Sequence, residues 1–355
     1  MRSESVDLLK RLVNTPSPSG FERPVQRIVR EELAKYTDDV RTDVMGNVIG
    51  MRNEQGRPRV MLSGHCDEIG LMVRYIDDNG FIYFTPIGGV DAHLTPGQRV
   101  RIHAKQGTVF GVIGKKPIHR MKPTEKEKVV EVSKQWIDIG AKNKEAAETR
   151  VSVGDPITFD VQFESLGSND LVVARGFDDK VGTFVVIETF RLLAELGTHM
   201  AAVFGVSSVQ EEVGLRGATT SAFEIKPDVG VAIDVEFATD DPSLDKKEIG
   251  DISLRKGPVV CRGSRSNPLV EDLLIRVAQQ EKIPYQLSAY PSRTGTDADV
   301  IQMTRTGVAT AVLGIPNRYM HTPCEVVSLG DLENTSKLLV AFIQHLNETM
   351  SFIPQ

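Results

Sequence analysis

The sequence predicts an α/β fold in which a mixed central sheet is covered by helices on both faces and interrupted by a small all-β domain. Three observations carry that expectation. Residues 1–67 and 168–355 alternate helical periodicity with short, continuously apolar strands, the pattern of a sheet buried on both sides. Residues 68–167 break instead into short alternating segments separated by glycine-centred turns, such as Asp77-Asp78-Asn79-Gly80 and Lys105-Gln106-Gly107. A length of 355 residues accommodates two units at roughly 150 residues per domain.

The elements follow in order. Leu8, Leu9, Leu12 and Val13 share one side of an amphipathic helix, with no apolar block and small-residue cleavage site of the kind that marks a signal peptide. Ser19 and Glu22 are spaced as a capping box opening a helix towards Tyr36. Strands are expected at 47–51 and 59–62, the second running into Ser63-Gly64-His65. The β unit offers strands near 81–85, 99–103, 108–113 and 156–163, and its charge-crowded stretch 115–135 reads as a solvated loop or frayed hairpin. Beyond it come a strand at 171–174, a helix at 181–196, and strands at 201–209 and 229–233. A helix at 267–281, a strand at 308–313 and a helix at 332–349 complete the chain.

Composition narrows the function. With 42 basic against 48 acidic residues the net charge is −6, which gives no electrostatic support to a nucleic-acid partner. No run approaches the roughly 18 apolar residues of a membrane span. Three cysteines, Cys66, Cys261 and Cys324, form no disulfide framework and suit a reducing compartment, so the expected location is the cytoplasm.

Chemistry-bearing residues gather at strand ends. His65-Cys66-Asp67 follows one apolar strand, Asp178-Asp179 a second, Glu211-Glu212 a third and Asp234 a fourth, while His321 lies beyond a fifth. Ligands of open α/β sheets sit outside the carboxyl ends of the strands. Strand alternation sends His65 and Asp67 to one side, where Asp67 can accept the proton of the far imidazole nitrogen, and turns Cys66 into the core. One acid of Asp178-Asp179 suffices to cap the following helix, which leaves the other free to bridge two cations. Adjacent Glu211 and Glu212 repel each other unless a positive charge lies beside them. One can bind a metal while its neighbour acts as general base. Asp234, after an apolar strand, is costly as an unpaired charge. Two histidines, a bridging Asp and two terminal acids suffice for two divalent ions, and imidazole with carboxylate suits zinc or cobalt better than magnesium. The matching chemistry is metal-assisted hydrolysis, most naturally of an amide.

In this order (HxD, Asp-Asp, Glu-Glu, Asp, His) the constellation resembles the co-catalytic zinc peptidases. The β unit between Asp67 and Asp178 resembles one branch, the tetrahedral aminopeptidases, also called glutamyl or deblocking aminopeptidases (metallopeptidase family forty-two). The likeness extends to Thr15-Pro16-Ser17-Pro18-Ser19-Gly20, Trp136-Ile137-Asp138-Ile139-Gly140, Gly295-Thr296-Asp297-Ala298 and Arg318-Tyr319-Met320-His321. It implies that His65, Asp178 and Asp234 hold one metal and that Asp178, Glu212 and His321 hold the other. It further implies Glu211 as general base, Asp67 as the residue orienting His65, and a cis peptide at Asp178–Asp179. The expected activity is removal of N-terminal residues from peptide substrates. The β domain is expected to mediate dimerisation, six dimers forming a hollow dodecamer, with segment 120–132 reaching towards an active site.

Other features fit this pattern less closely. The stretch from Glu236 to Asp241 is more acidic than the family pattern at that point. Arg293 is a candidate contact for acidic substrate residues, or a solvent-facing side chain. Asp91-Ala92-His93 mimics HxD in reverse but lies in the β unit and is not taken as a ligand set. Two alternatives stand beside the peptidase reading: an endoglucanase-type glycoside hydrolase using a carboxylate pair, and a catalytically inactive scaffold.

Overall fold

The computed structural model describes residues 1–167, 169–292 and 294–354. The expected domain boundary at Ser168 and the pocket candidate Arg293 lie outside the described residues. In chain order the strands are β1 (Asp39–Thr42), β2 (Val48–Arg52), β3 (Arg59–His65), β4 (Gly70–Ile76), β5 (Ile82–Ile87) and β6 (Arg99–Ala104). Next come β7 (Gly107–Lys115), β8 (Gln135–Asp138), β9 (Pro156–Phe159), β10 (Glu164–Ser165), β11 (Leu171–Ala174) and β12 (Ala202–Ser208). The last are β13 (Val229–Phe237), β14 (Val259–Gly263), β15 (Gln286–Tyr290), β16 (Ala309–Asn317) and β17 (Glu325–Ser328).

Eight of these form a mixed sheet in the order β1-β2-β12-β3-β13-β16-β14-β15. β3 lies between β12 and β13 and runs parallel to both. Strand alternation divides its side chains between two cores. Val60 and Leu62 join the larger cluster, under helices Ser3–Asn14, Phe177–Leu196 and Leu329–His345, whereas Met61 joins the cluster beneath helix Arg216–Ile225. Helices therefore cover both faces, as the apolar strands require. Between Gly70 and Phe159 the chain closes a six-stranded barrel, β4-β5-β8-β7-β6-β9, around its own core of Val73, Ile102, Ile113 and Ile157.

Three local expectations are revised, and the expected cis peptide is present at Asp178–Asp179. Strand β11 does not join the central sheet but pairs with β10 and β17 in a separate three-stranded sheet. Ser19 is not a helix cap: its hydroxyl donates to Asp67, and the helix begins at Arg23 with Pro24 in its first turn. The last helix starts at Leu329 rather than 332 because Ser328 caps it, its Oγ accepting from the Asp331 amide at 3.3 Å. Helix Phe177–Leu196 contains two non-helical residues, Asp178 and Asp179, joined by a cis peptide.

The neck of the barrel is clasped by charge. Glu68, buried at the start of the insertion, accepts from Arg175 and, at 2.8 Å, from Lys180 on the returning chain. Burial opposes the charge of Glu68, but the two cations overcome it and bring the carboxyl down to about 2. Burial in turn lowers Lys180 to about 8 against the pull of Glu68.

Gly64 explains how the long helix approaches β3. A Cβ there would stand 2.3 Å from the backbone carbon of Gly182 and 2.6 Å from the Thr183 nitrogen, so strand and helix backbones touch directly. Gly64→Ala is expected to destabilise the chain by about 1–3 kcal/mol through overpacking. Thermal unfolding of the variant checks this, and an unchanged midpoint would contradict the contact.

Candidate metal centre

Three parallel strands deliver the first candidate ligands to one edge. β12 runs beside β3 with Ser208 opposite His65, and Glu211 and Glu212 follow in the turn beyond. β13 flanks β3 on its other side with Ala232 opposite Ser63, so Asp234 and His65 each lie two residues further on. Asp178 arrives from the helix that Gly64 admits, and His321 from the loop after β16.

Asp178 stands between the two imidazoles. Its Oδ1 lies 3.2 Å from His65 Nε2 and its Oδ2 3.1 Å from His321 Nε2. Around His65 Nε2, Asp234 Oδ1 is 3.9 Å away and Glu211 Oε2 3.7 Å, and Glu212 Oε1 lies 3.4 Å from His321 Nε2. Among the described residues, two sets of three donors have their ligand atoms within 4.8 Å of one another: His65 with Asp178 and Glu212, and His65 with Asp179 and Asp234. Asp179 is already engaged: Oδ2 accepts from the His65 amide at 3.1 Å and Oδ1 from the Gly182 amide at 2.9 Å. It caps the helix, which leaves Asp178 to face both histidines.

Asp67 braces this edge. His65 Nδ1 is 3.1 Å from the Asp67 backbone carbonyl and 3.4 Å from its carboxylate. That carboxylate accepts from Ser19 Oγ at 2.7 Å and from the amides of Glu211 and Glu212 at 3.1 and 3.2 Å. One buried acid thus supports the histidine and fixes the turn bearing the two glutamates.

The electrostatics are those of a cation site. Burial, opposed by His65 and reinforced by Asp234, Asp297 and Glu212, pushes Glu211 up to about 10. Burial would raise Asp178 as well, but His321 and His65 hold it far below the usual carboxylate range. Buried Glu212 Oε1 has no hydrogen-bond partner. An orphaned carboxylate oxygen among two imidazoles and several acids is a donor set that fits divalent ions.

Sequence reasoning missed two supports. Glu325, buried, accepts from the amides of Asp178 and His321 at 3.0 and 3.1 Å, tying the shared acid to the second histidine. Asp297 accepts from Ser63 Oγ at 2.8 Å and Ser208 Oγ at 2.6 Å beneath the cluster. Only the Thr296-Asp297-Ala298 motif gave a signal for Asp297, and nothing local marks Glu325.

The family model for M42 glutamyl aminopeptidases matches residues 46–338. The chain belongs to this family. It is 38% identical over 351 residues to the lysyl aminopeptidase of Pyrococcus furiosus, covering 98% of this chain and 99% of that one. The TET aminopeptidase of the marine sediment archaeon Thaumarchaeota archaeon SCGC AB-539-E09 superposes with a TM-score of 0.93 at 38% identity, covering 97% of each chain. The TET1 peptidase of Pyrococcus horikoshii, described as assembling into a tetrahedron or a large octahedral shell, gives 0.86 at 30% identity over 96% of this chain and 100% of that one. This M42 member is therefore a metal-dependent aminopeptidase, a hydrolase of peptide bonds, and the glycoside hydrolase alternative gives way.

Proposed function

We propose that this M42 aminopeptidase holds two divalent ions, zinc or cobalt, and removes N-terminal residues from peptides. His65, Asp178 and Asp234 would ligate one ion, and Asp178, Glu212 and His321 the other. The single observation supporting this pairing is the Asp178 carboxylate, whose two oxygens face different imidazoles at 3.2 and 3.1 Å. Two such ions, when bound, supply Lewis acidity towards the scissile carbonyl and lower the pKa of the attacking water. Glu211 stands 3.7 Å from His65 Nε2 with no ligand duty in this scheme. It takes the water's proton and passes it to the leaving amine. Asp67 orients His65 and keeps Glu211 and Glu212 in register.

The barrel, within residues 68–167, is proposed as the self-association surface, giving dimers that build a dodecamer. Phe110 and Val112 face outward from β7, each 40% exposed, with Arg99 and Arg101 over the Phe110 ring. Segment 120–132, largely exposed with a short helix at Pro123–Lys126, is proposed to reach a neighbouring site. A cytoplasmic location is proposed from three unpaired cysteines; among the described residues no helix is long and apolar enough to cross a membrane. The family description says glutamyl and a relative's name says lysyl, so names do not decide the residue removed.

Chelation is expected to abolish hydrolysis of Leu-, Glu- and Lys-para-nitroanilide, and added zinc or cobalt to restore it. Activity that survives thorough chelation would sink the two-ion reading.

A further inference from the structure

A cavity of about 800 Å³ opens beside the proposed ligands, and one of its walls has an unusual composition. Glu236 lies two residues beyond Asp234 on β13, hence on the same face of the sheet. Its stem crosses Gly314 of β16, where a Cβ would stand 2.8 Å from the Glu236 Cβ. The missing side chain lets the carboxylate reach over β16 towards β14 and β15. There Oε2 lies 3.4 Å from both Cys261 Sγ and Ser288 Oγ, and the Tyr290 hydroxyl donates to Oε1. All three partners are neutral, and Glu236 is only 7% exposed.

The remaining lining fits this end group. Phe237, Leu244, Ile249, Ala289, Val312 and Met320 supply apolar walls, Glu248 adds a second acid, and no lysine or arginine lines the cavity among the described residues. An apolar sleeve ending in a carboxylate complements a side chain with a methylene stem and a cationic head. An acidic side chain would meet Glu236 as a like charge. An aliphatic one would leave the carboxylate facing carbon.

We propose that Glu236 is a specificity-determining residue that selects lysine or arginine as the N-terminal residue removed. The inference rests on the proposed site, because the cavity serves the scissile residue only if the ions bind beside it. The test measures kcat/KM on Lys-, Arg-, Leu- and Glu-para-nitroanilide with the metal-loaded full chain and its Glu236→Gln variant. Lys and Arg are expected to exceed Leu by about tenfold or more, with Glu lowest. In the variant the Lys:Leu ratio should fall by about 10- to 100-fold, the worth of a hydrogen bond to a charged group. Melting temperature and metal content establish that the variant is folded and loaded. A parent enzyme that ranks Leu or Glu at or above Lys overturns the proposal, as does a variant ratio within about threefold of the parent's.

If no substrate is cleaved under any metal, the catalytic reading fails, and binding decides the pocket separately. Calorimetry then compares L-lysinamide with L-norleucinamide, which lacks only the ammonium. Tighter binding of lysinamide by about tenfold, lost in Glu236→Gln, supports the role of Glu236, and equal binding removes it.

Discussion

Glu211→Gln is expected to lower kcat by about 10³- to 10⁴-fold, the upper range for loss of a general base, while KM stays within about threefold. The amide keeps the size of the carboxylate but cannot accept a proton at neutral pH. Metal content should remain that of the parent, because none of the proposed ligands is altered and the Glu211 amide still donates to Asp67. Steady-state kinetics together with metal analysis check both halves. A drop in kcat below tenfold would reassign the base, and a lost ion would make Glu211 a ligand instead.

Asp178→Asn strikes the same site from the other side. An asparagine presents one acceptor oxygen and one NH2 group, so it cannot face both histidines as an acceptor. The expected result is loss of at least one ion and a fall in kcat/KM of about 10³-fold or more, since Lewis acidity at the carbonyl is worth several kcal/mol. Because Glu325 grips the backbone amides of Asp178 and His321 rather than their side chains, the loop should keep its shape. Excess zinc is therefore expected to recover little activity. Full recovery at millimolar zinc would show that Asp178 tunes affinity without bridging.

Much of this site was legible because its residues stand where apolar strands stop. His65 ends β3, Glu211 and Glu212 follow β12, and Asp234 stands within β13 just past its apolar run at 229–233; strand hydrophobicity is a local signal. The sequence points to Asp178 by a partly mistaken argument, since β11 belongs to a different sheet and the acid is delivered by a helix packed through Gly64. The Gly64–Gly182 contact joins segments far apart in sequence, and no local pattern announces it. Glu325 was invisible for a similar reason. Its role is to accept two backbone amides, a task that any buried acid in the right place could perform. The surplus of acids after Asp234 is visible in the sequence, but only the crossing over Gly314 shows Glu236 turning towards the cavity.

The ionic clasp of Glu68 with Arg175 and Lys180 has a topological consequence. The chain leaves the catalytic core immediately after Asp67 and returns just before Asp178, with β4 and β9 paired to each other at the mouth of the excursion. Holding together the ends of a flexible loop of that length would cost about 4 kcal/mol in entropy. Here the barrel's own folding brings the ends together and the clasp locks them. The spacing of Asp67 and Asp178 is therefore insulated from whatever lies between. Gly88 and Gly89 of the insertion pack against Glu212 and His321, so changes confined to the barrel's outer face would leave the candidate site in place and, on the proposed self-association role, alter how copies of the chain meet.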